Sequence, residues 1–165
     1  IMEQTNWYAI YTASRAEKRV KKRLDEAGIV HYIPSRVVEW NSDNQVKWME
    51  VPLFSNCVFV RLTRSEFSKI QDITGIISFL REGETPVVYS EQQITSLRLL
   101  NDHADEIDVV EDDTPVSSPV RVIQGKLLGL EGELLDEPGV CRVLVRLPRV
   151  GNVIAVVSRN SVVRL

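Results

Sequence analysis

Residues that hold metals or run redox chemistry are scarce in this chain. Its 165 residues include two cysteines, Cys57 and Cys141, and two histidines, His31 and His103. Neither cysteine has a second Cys or His at ligand spacing, which argues against a zinc site. Two isolated thiols without a disulfide framework fit the cytoplasm. No apolar run approaches the ~18 residues that cross a bilayer, and no charged segment leads into an apolar one near the N-terminus. Neither a membrane span nor a secretory signal is therefore expected. Ile1 ahead of Met2 reads as foreign to the natural start.

Catalytic patterns are equally sparse. There is no nucleotide-binding glycine loop and no Gly-x-Ser-x-Gly elbow. His31 and His103 are 72 positions apart, and neither has an Asp or Cys partner in sequence. Glu82 and Glu84 flank Gly83 in an expected turn and read as solvated. An enzyme is not expected, nor is a metal or cofactor. A net charge of −3, from 20 basic and 23 acidic side chains, excludes a uniformly basic coat for nucleic acid.

What is present is a soluble-protein composition with charge sorted along the chain. Hydrophobic residues make up 44% and charged residues 26%. Residues 1–100 are nearly neutral, residues 101–118 carry seven acidic and no basic side chains, and residues 119–165 are net basic. The acidic stretch runs into Thr114-Pro115-Val116-Ser117-Ser118-Pro119. Like charges extend a chain, and prolines deny it regular hydrogen bonding. The expected organisation is a first domain over 5–101, an acidic flexible linker over 102–118, and a second domain over 119–165.

In the first domain, Trp7 to Thr12 reads as a buried strand. Ser14 and Glu17 have capping-box spacing, and Ala16, Val20, Leu24 and Ala27 form one apolar stripe ended by Gly28. The other faces carry Arg15, Lys18, Arg19, Lys21, Lys22 and Arg23. They form either a solvated face or a surface that meets phosphates. Asn41-Ser42-Asp43-Asn44 is turn chemistry between two strands of a hairpin. Cys57 to Leu62 is a further strand, with Cys57 a small buried or half-buried thiol. Thr63/Glu66 and Ser90/Gln93 are two more capping boxes, each opening a helix. Ile76 to Arg81 reads as a strand between those helices, and Val87-Val88-Tyr89 as a short one. The order predicts an α+β sandwich, an antiparallel sheet of four or five strands flanked by helices.

The second domain reads as all-β. Gly125, Gly129 and Gly132 mark sharp bends and close strand approaches. Val140 to Leu147 and Val153 to Val157 are strand-rich, and five short strands are best arranged as a small barrel. All eleven aromatic residues fall in residues 1–100. They fill a core or, where exposed, form a docking patch, with Tyr11, Phe54 and Phe59 as candidates.

A resemblance adds to this reading. Trp7-Tyr8-Ala9-Ile10-Tyr11-Thr12, the Arg15/Glu17-Lys18 helix start, Pro52-Leu53-Phe54-Ser55-Asn56-Cys57-Val58-Phe59-Val60 and Gly75-Ile76 resemble the N-terminal (NGN) domain of the NusG family. Val120-Arg121-Val122 through Gly125, Gly129 and Gly132 resembles a KOW motif, an SH3-like β-barrel. The Pro-Leu-Phe segment and short first domain are closer to specialised paralogues, RfaH and the UpxY-type regulators of capsular polysaccharide loci.

The resemblance implies a transcription elongation and antitermination factor that suppresses pausing, in a long surface-polysaccharide operon. It implies docking on the clamp helices of the largest RNA polymerase subunit through Tyr11, Phe54, Cys57 and Phe59. Glu66, Phe67 and Ser68 would face the gate loop. Arg15, Lys18, Arg19 and Lys22 would lie near upstream or non-template DNA. Leu130 would meet a ribosomal protein or Rho, and the chain would act as a cytoplasmic monomer. Ser55 replaces a usual Pro and Cys57 a common aromatic, which shifts weight onto Tyr11 and Phe54. Ser117-Ser118-Pro119 replaces the usual Gly-Asp before the KOW strand. In RfaH the KOW domain refolds as a helical hairpin that masks the patch; here the strand formers predict a barrel. The alternatives are a ribosome-associated RNA-binding KOW protein, which the acidic balance disfavours, and a metabolic enzyme with a regulatory barrel, which lacks a catalytic constellation.

Overall fold

The computed structural model describes residues 3–111 and 113–165. The reading of Ile1, and Asp112 of the acidic run, lie outside the described residues. β1 (Asn6–Thr12) is followed by α1 (Glu17–Glu26), β2 (Val30–Tyr32), β3 (Ser35–Ser42), β4 (Gln45–Pro52) and β5 (Cys57–Leu62). A 3-10 turn leads into α2 (Phe67–Gln71), then β6 (Ile76–Phe79), β7 (Arg81–Glu82), β8 (Thr85–Pro86) and α3 (Glu91–His103). β9 (Asp108–Val110), β10 (Pro119–Val122), β11 (Glu131–Glu137), β12 (Val140–Leu147), β13 (Gly151–Val156) and β14 (Val162–Arg164) complete the chain.

The first sheet has the order β2-β5-β1-β6, with β1 antiparallel to both neighbours. Side chains alternate across it. Tyr8, Ile10, Val58, Val60 and Leu62 turn to one face, where they pack with Val20 and Leu24 of α1 and Ile70 of α2. Trp7, Ala9, Cys57 and Phe59 turn to the other, where α3 contributes Ile94, Leu97 and Leu100. The sheet is therefore a filled sandwich, helices on both faces.

Local signals decide several boundaries. The Ser90/Gln93 box forms as expected: Gln93 N–H donates to Ser90 Oγ at 3.0 Å, and Ser90 N–H to Gln93 Oε1 at 2.7 Å. Thr63 N–H likewise donates to Glu66 at 3.0 Å. The Ser14/Glu17 box does not form. Arg15 takes a positive φ of 61°, so α1 starts at Glu17 with Ala16 as an unaided N-cap. Ala27 is exposed, and buried Ile29 replaces it below the stripe. Val87 to Tyr89 makes a single bridge, Trp7 to Tyr89, rather than a strand. Its neighbour Pro86 lacks the N–H a longer ladder needs.

β3 and β4 form a separate two-stranded hairpin, with positive φ at Asp43 and Asn44 in its turn. Its large apolar residues are largely bare, and Trp48 is 68% exposed. Arg36 at its base donates to the carbonyls of Leu100 (3.4 Å), Ala104 (2.9 Å) and Asp105 (3.2 Å). The guanidinium thereby caps the end of α3, where free carbonyls gather.

The second domain is all-β, with the order β14-β10-β11-β12-β13 and β9 added beyond β13. Here the acidic segment departs from its expected character. α3 reaches His103, and residues 108–110 pair with β13. Extended backbone beside an open strand edge satisfies its own polar groups by pairing with it. Gly132 marks a close strand approach: a Cβ there would lie 2.4 Å from the Leu144 carbonyl oxygen.

Candidate functional site

The alternation of β1 and β5 brings three predicted residues to one face. Tyr11 pairs with Cys57 and Ala9 with Phe59, so Tyr11, Cys57 and Phe59 project toward the α3 side. Phe54 joins them from the preceding turn, and its ring meets Phe59 edge-on at 6.4 Å between centroids. Phe59 in turn meets Tyr89 at 5.4 Å and 90°. The turn is fixed from α1: Asn56, at φ 60°, gives its N–H to Glu17 at 3.0 Å. That contact explains why Glu17 does not cap its own helix.

This aromatic cluster is not open. Tyr11 is 42% exposed, but Phe54 is 6% and Phe59 0% exposed. The second domain lies over them. Trp7, Phe54 and Phe59 share one apolar cluster with Val120, Val143, Leu147 and Val153. The seam is also polar in places. Tyr89 Oη donates to the Pro148 carbonyl, Gln93 Nε2 to the Arg146 carbonyl at 3.0 Å, and Glu131 N–H to Ser96 Oγ at 3.1 Å. Leu130 is fully buried in the same cluster, and a Cβ at Gly129 would sit 3.9 Å from Leu99 of α3.

Burial sets the electrostatics here. Desolvation pushes the Cys57 thiol up to about 12, so it stays protonated and inert near neutrality. Tyr32 is raised by burial and by Asp102, with the Arg98 guanidinium stacked 4.1 Å from its ring centre. His31 is structural: Nδ1 meets the Ile29 carbonyl at 3.0 Å and Nε2 faces Asp25 at 3.5 Å.

The remaining predicted residues lie elsewhere. Phe67 packs on Tyr8 at 5.1 Å and on Phe79 at 4.7 Å. Glu66, Phe67 and Ser68 therefore sit on the opposite side of the sheet from Phe54 and Phe59. Arg15, Lys18, Arg19 and Lys22 are exposed, without a carboxylate partner among the described residues. No group of three His, Cys, Asp or Glu side chains converges as a metal site among the described residues. No helix among them is long and apolar enough to cross a membrane.

Sequence reasoning missed the seam itself. Gln93 reads only as a cap partner and Tyr89 as part of a short strand, while Ser96 and Leu99 carry no reading of their own. The available signal was Ser96, a small polar residue on the apolar side of α3, where a hydroxyl needs a partner.

A family model described as transcription termination factor nusG matches residues 5–98. The transcription termination/antitermination protein NusG of Helicobacter pylori is 29% identical over 101 residues, covering 54% of this chain and 57% of the relative. That of Rickettsia conorii is 24% identical over 102 residues, covering 55% and 53%. The matched region thus spans about half the length of these curated relatives. A solved structure described as "Domain interaction in Thermotoga maritima NusG" aligns over 98% of both chains, with a TM-score of 0.51 at 18% identity. At that identity the likeness is one of fold, and it runs through both domains.

Proposed function

The chain belongs to the NusG family, and from that premise we propose that it is a transcription elongation and antitermination factor that rides on RNA polymerase. The carrying observation is the gathering of Tyr11, Phe54, Cys57 and Phe59 on one sheet face, with Phe54, Cys57 and Phe59 in the apolar cluster that the second domain completes and Tyr11 left half-exposed at its edge. An apolar aromatic cluster with a polar rim is the make-up of a protein-binding hot spot.

In this reading the cluster docks on the clamp helices of the largest polymerase subunit. Glu66, Phe67 and Ser68, on the other side of the sheet, meet the gate loop. One rigid sandwich then bridges the cleft and holds the clamp closed, which suppresses pausing or termination. Arg15, Lys18, Arg19 and Lys22 face upstream or non-template DNA. Leu130 belongs to the surface that the second domain offers a ribosomal protein or Rho. Phe54, Phe59 and Leu130 are buried together, so the factor must open before either domain engages its partner. The finer assignment, to a long surface-polysaccharide operon, is supported by the Pro52-Leu53-Phe54 segment and the short first domain. The protein acts as a cytoplasmic monomer.

The experiment is capture of core RNA polymerase by the full chain, beside Leu99→Glu and the double variant Leu99→Glu/Phe54→Ala. A carboxylate at Leu99 pushes α3 and the second domain apart. Leu99→Glu should capture more polymerase than wild type, and adding Phe54→Ala should abolish the gain. Equal, negligible capture by all three, with far-UV circular dichroism unchanged, rejects the proposal.

A further inference from the structure

The acidic segment after α3 touches both sides of the seam. Arg36 holds its start at the Ala104 and Asp105 carbonyls. Ile107 packs against the shared apolar cluster. Asp108, Val109 and Val110 then pair with Ile154, Val153 and Asn152 of β13. Gly151, at φ 142°, is where the pieces converge. A Cβ there would lie 3.3 Å from the Val110 carbonyl oxygen, 3.7 Å from Val109 Cγ1 and 3.8 Å from Phe54 Cε1. The segment, the β13 edge and the aromatic cluster thus meet at one backbone position.

The attachment is built to yield. Three paired residues make a minimal strand. Asp105, Glu106, Asp108 and Glu111 repel one another along it. Its ion pair, Lys126 with Asp105 at 2.9 Å, is highly exposed on both sides and contributes little. The β13 edge also keeps an unmet need. Asn152 is fully buried, yet its Oδ1 has no hydrogen-bond partner among the described residues, and its Nδ2 reaches the Glu111 carbonyl only at 3.4 Å. A better-fitting strand has something to gain there.

We propose that residues 104–111 are a displaceable strap. Paired along β13, they hold the second domain over Phe54. An extended segment of a protein partner that takes their place on β13 opens the molecule. The segment that fits copies the strap's chemistry, two β-branched residues with acidic flanks, since the second domain carries seven basic and four acidic side chains. This rests on reading the Phe54 face as a docking surface that closure hides.

The test uses the full chain with Cys141→Ser, which leaves Cys57 as the single thiol, and follows its modification by a thiol-reactive disulfide. In the closed form Cys57 is buried and protonated. Val109→Pro/Val110→Pro removes whichever N–H faces β13. It should raise the labelling rate on the order of ten-fold, as expected when a minor open state becomes populated. A synthetic peptide of residues 105–113, added in excess to the chain with its strap intact, should speed labelling and shift the β13 amide resonances; a scrambled peptide should do neither. An unchanged rate in the double-proline variant overturns the strap, whether or not its β13 amides become exposed. So does a peptide that neither shifts β13 nor speeds labelling, an arm that needs no change to the strap. If Leu99→Glu labels fast yet captures no polymerase, the docking reading fails while the strap stands. If Leu99→Glu captures polymerase but removing the strap leaves Cys57 closed, the strap fails alone.

Discussion

The phenol of Tyr89 donates a hydrogen bond to the backbone carbonyl of Pro148, tying the flank of the first sheet to the turn between β12 and β13. The same ring stands edge-on to Phe59. One residue therefore serves both the core of the first domain and the seam with the second.

Tyr89→Phe separates those roles. The ring stays, so packing on Phe59 is kept, while the Pro148 carbonyl loses its donor. A net hydrogen bond of about 1 kcal/mol corresponds to a fall in Tm of about 2–4 °C for a chain of this size. Differential scanning calorimetry should show that decrease, and Cys57 should label faster than in the wild-type chain. A variant with an unchanged melt and unchanged labelling would mean that the bond contributes nothing to closure.

Gly132 supports a sharper expectation. Its φ is not in the left-handed region; its constraint is space, because a Cβ would lie 2.4 Å from the Leu144 carbonyl oxygen and 2.7 Å from Val143 Cγ1. Those neighbours are backbone and a buried branched side chain, so neither can step aside. Gly132→Ala should unfold the second domain. Gly139→Ala, at φ 82° with open space around it, should cost only about 1–2 kcal/mol, the penalty of an L-residue in the left-handed region. Urea titrations of the two variants, followed by circular dichroism, distinguish these costs directly.

These cases show what the sequence made legible. Capping boxes at Thr63/Glu66 and Ser90/Gln93 are local, and both formed where the spacing placed them. The apolar runs Trp7 to Thr12 and Cys57 to Leu62 read as strands, but bringing Tyr11, Cys57 and Phe59 to one face takes the pairing register of the two strands, which no local signal carries. Ser14/Glu17 has the same spacing, but Glu17 is drawn to the Asn56 N–H, 39 residues away. The pairing of residues 108–110 with β13 was illegible for the same reason. Charge repulsion argues for an extended chain, and extension is also what a strand requires. Composition cannot tell a free tether from one that has found an edge.

Glu133 makes a prediction about acid. Burial alone would push its carboxyl up. Hydrogen bonds from Arg146, the Ser117 N–H and the Arg146 charge together outweigh burial and hold it below its ordinary value. A carboxylate depressed in the folded state contributes stability above its unfolded pKa, near 4.3, and loses it as pH falls through the folded value. Both partners are largely shielded, with side-chain exposures of 20% for Arg146 and 16% for Glu133, so the effect should be visible. Melting wild type and Glu133→Gln between pH 7 and pH 3 should show wild type more stable at neutrality and the gap closing on acidification. Parallel curves would mean that the pair is not a source of acid sensitivity.

The cations of α1 allow the proposed nucleic-acid contact to be counted. Lys18, Arg19 and Lys22 lie on the exposed side of a helix anchored by Val20 and Leu24, with exposed Arg15 just ahead of it, and Arg23 is already committed to the Thr74 carbonyl. Replacing Lys18 and Lys22 with Gln should leave the apolar stripe and the melt essentially unchanged, since surface substitutions of this kind usually stay within about 0.5 kcal/mol. Each phosphate contact with duplex DNA releases condensed counterions, so affinity falls with salt at a slope of about −0.9 per contact. For the polymerase elongation complex, the double variant should therefore bind more weakly at low salt, with a slope shallower by about 1.8 if both lysines meet duplex phosphates. Binding to core polymerase without nucleic acid should not change. Were the slope to stay the same on the elongation complex, these lysines would be a solvated face, and contact with DNA would have to be sought on another surface of the molecule.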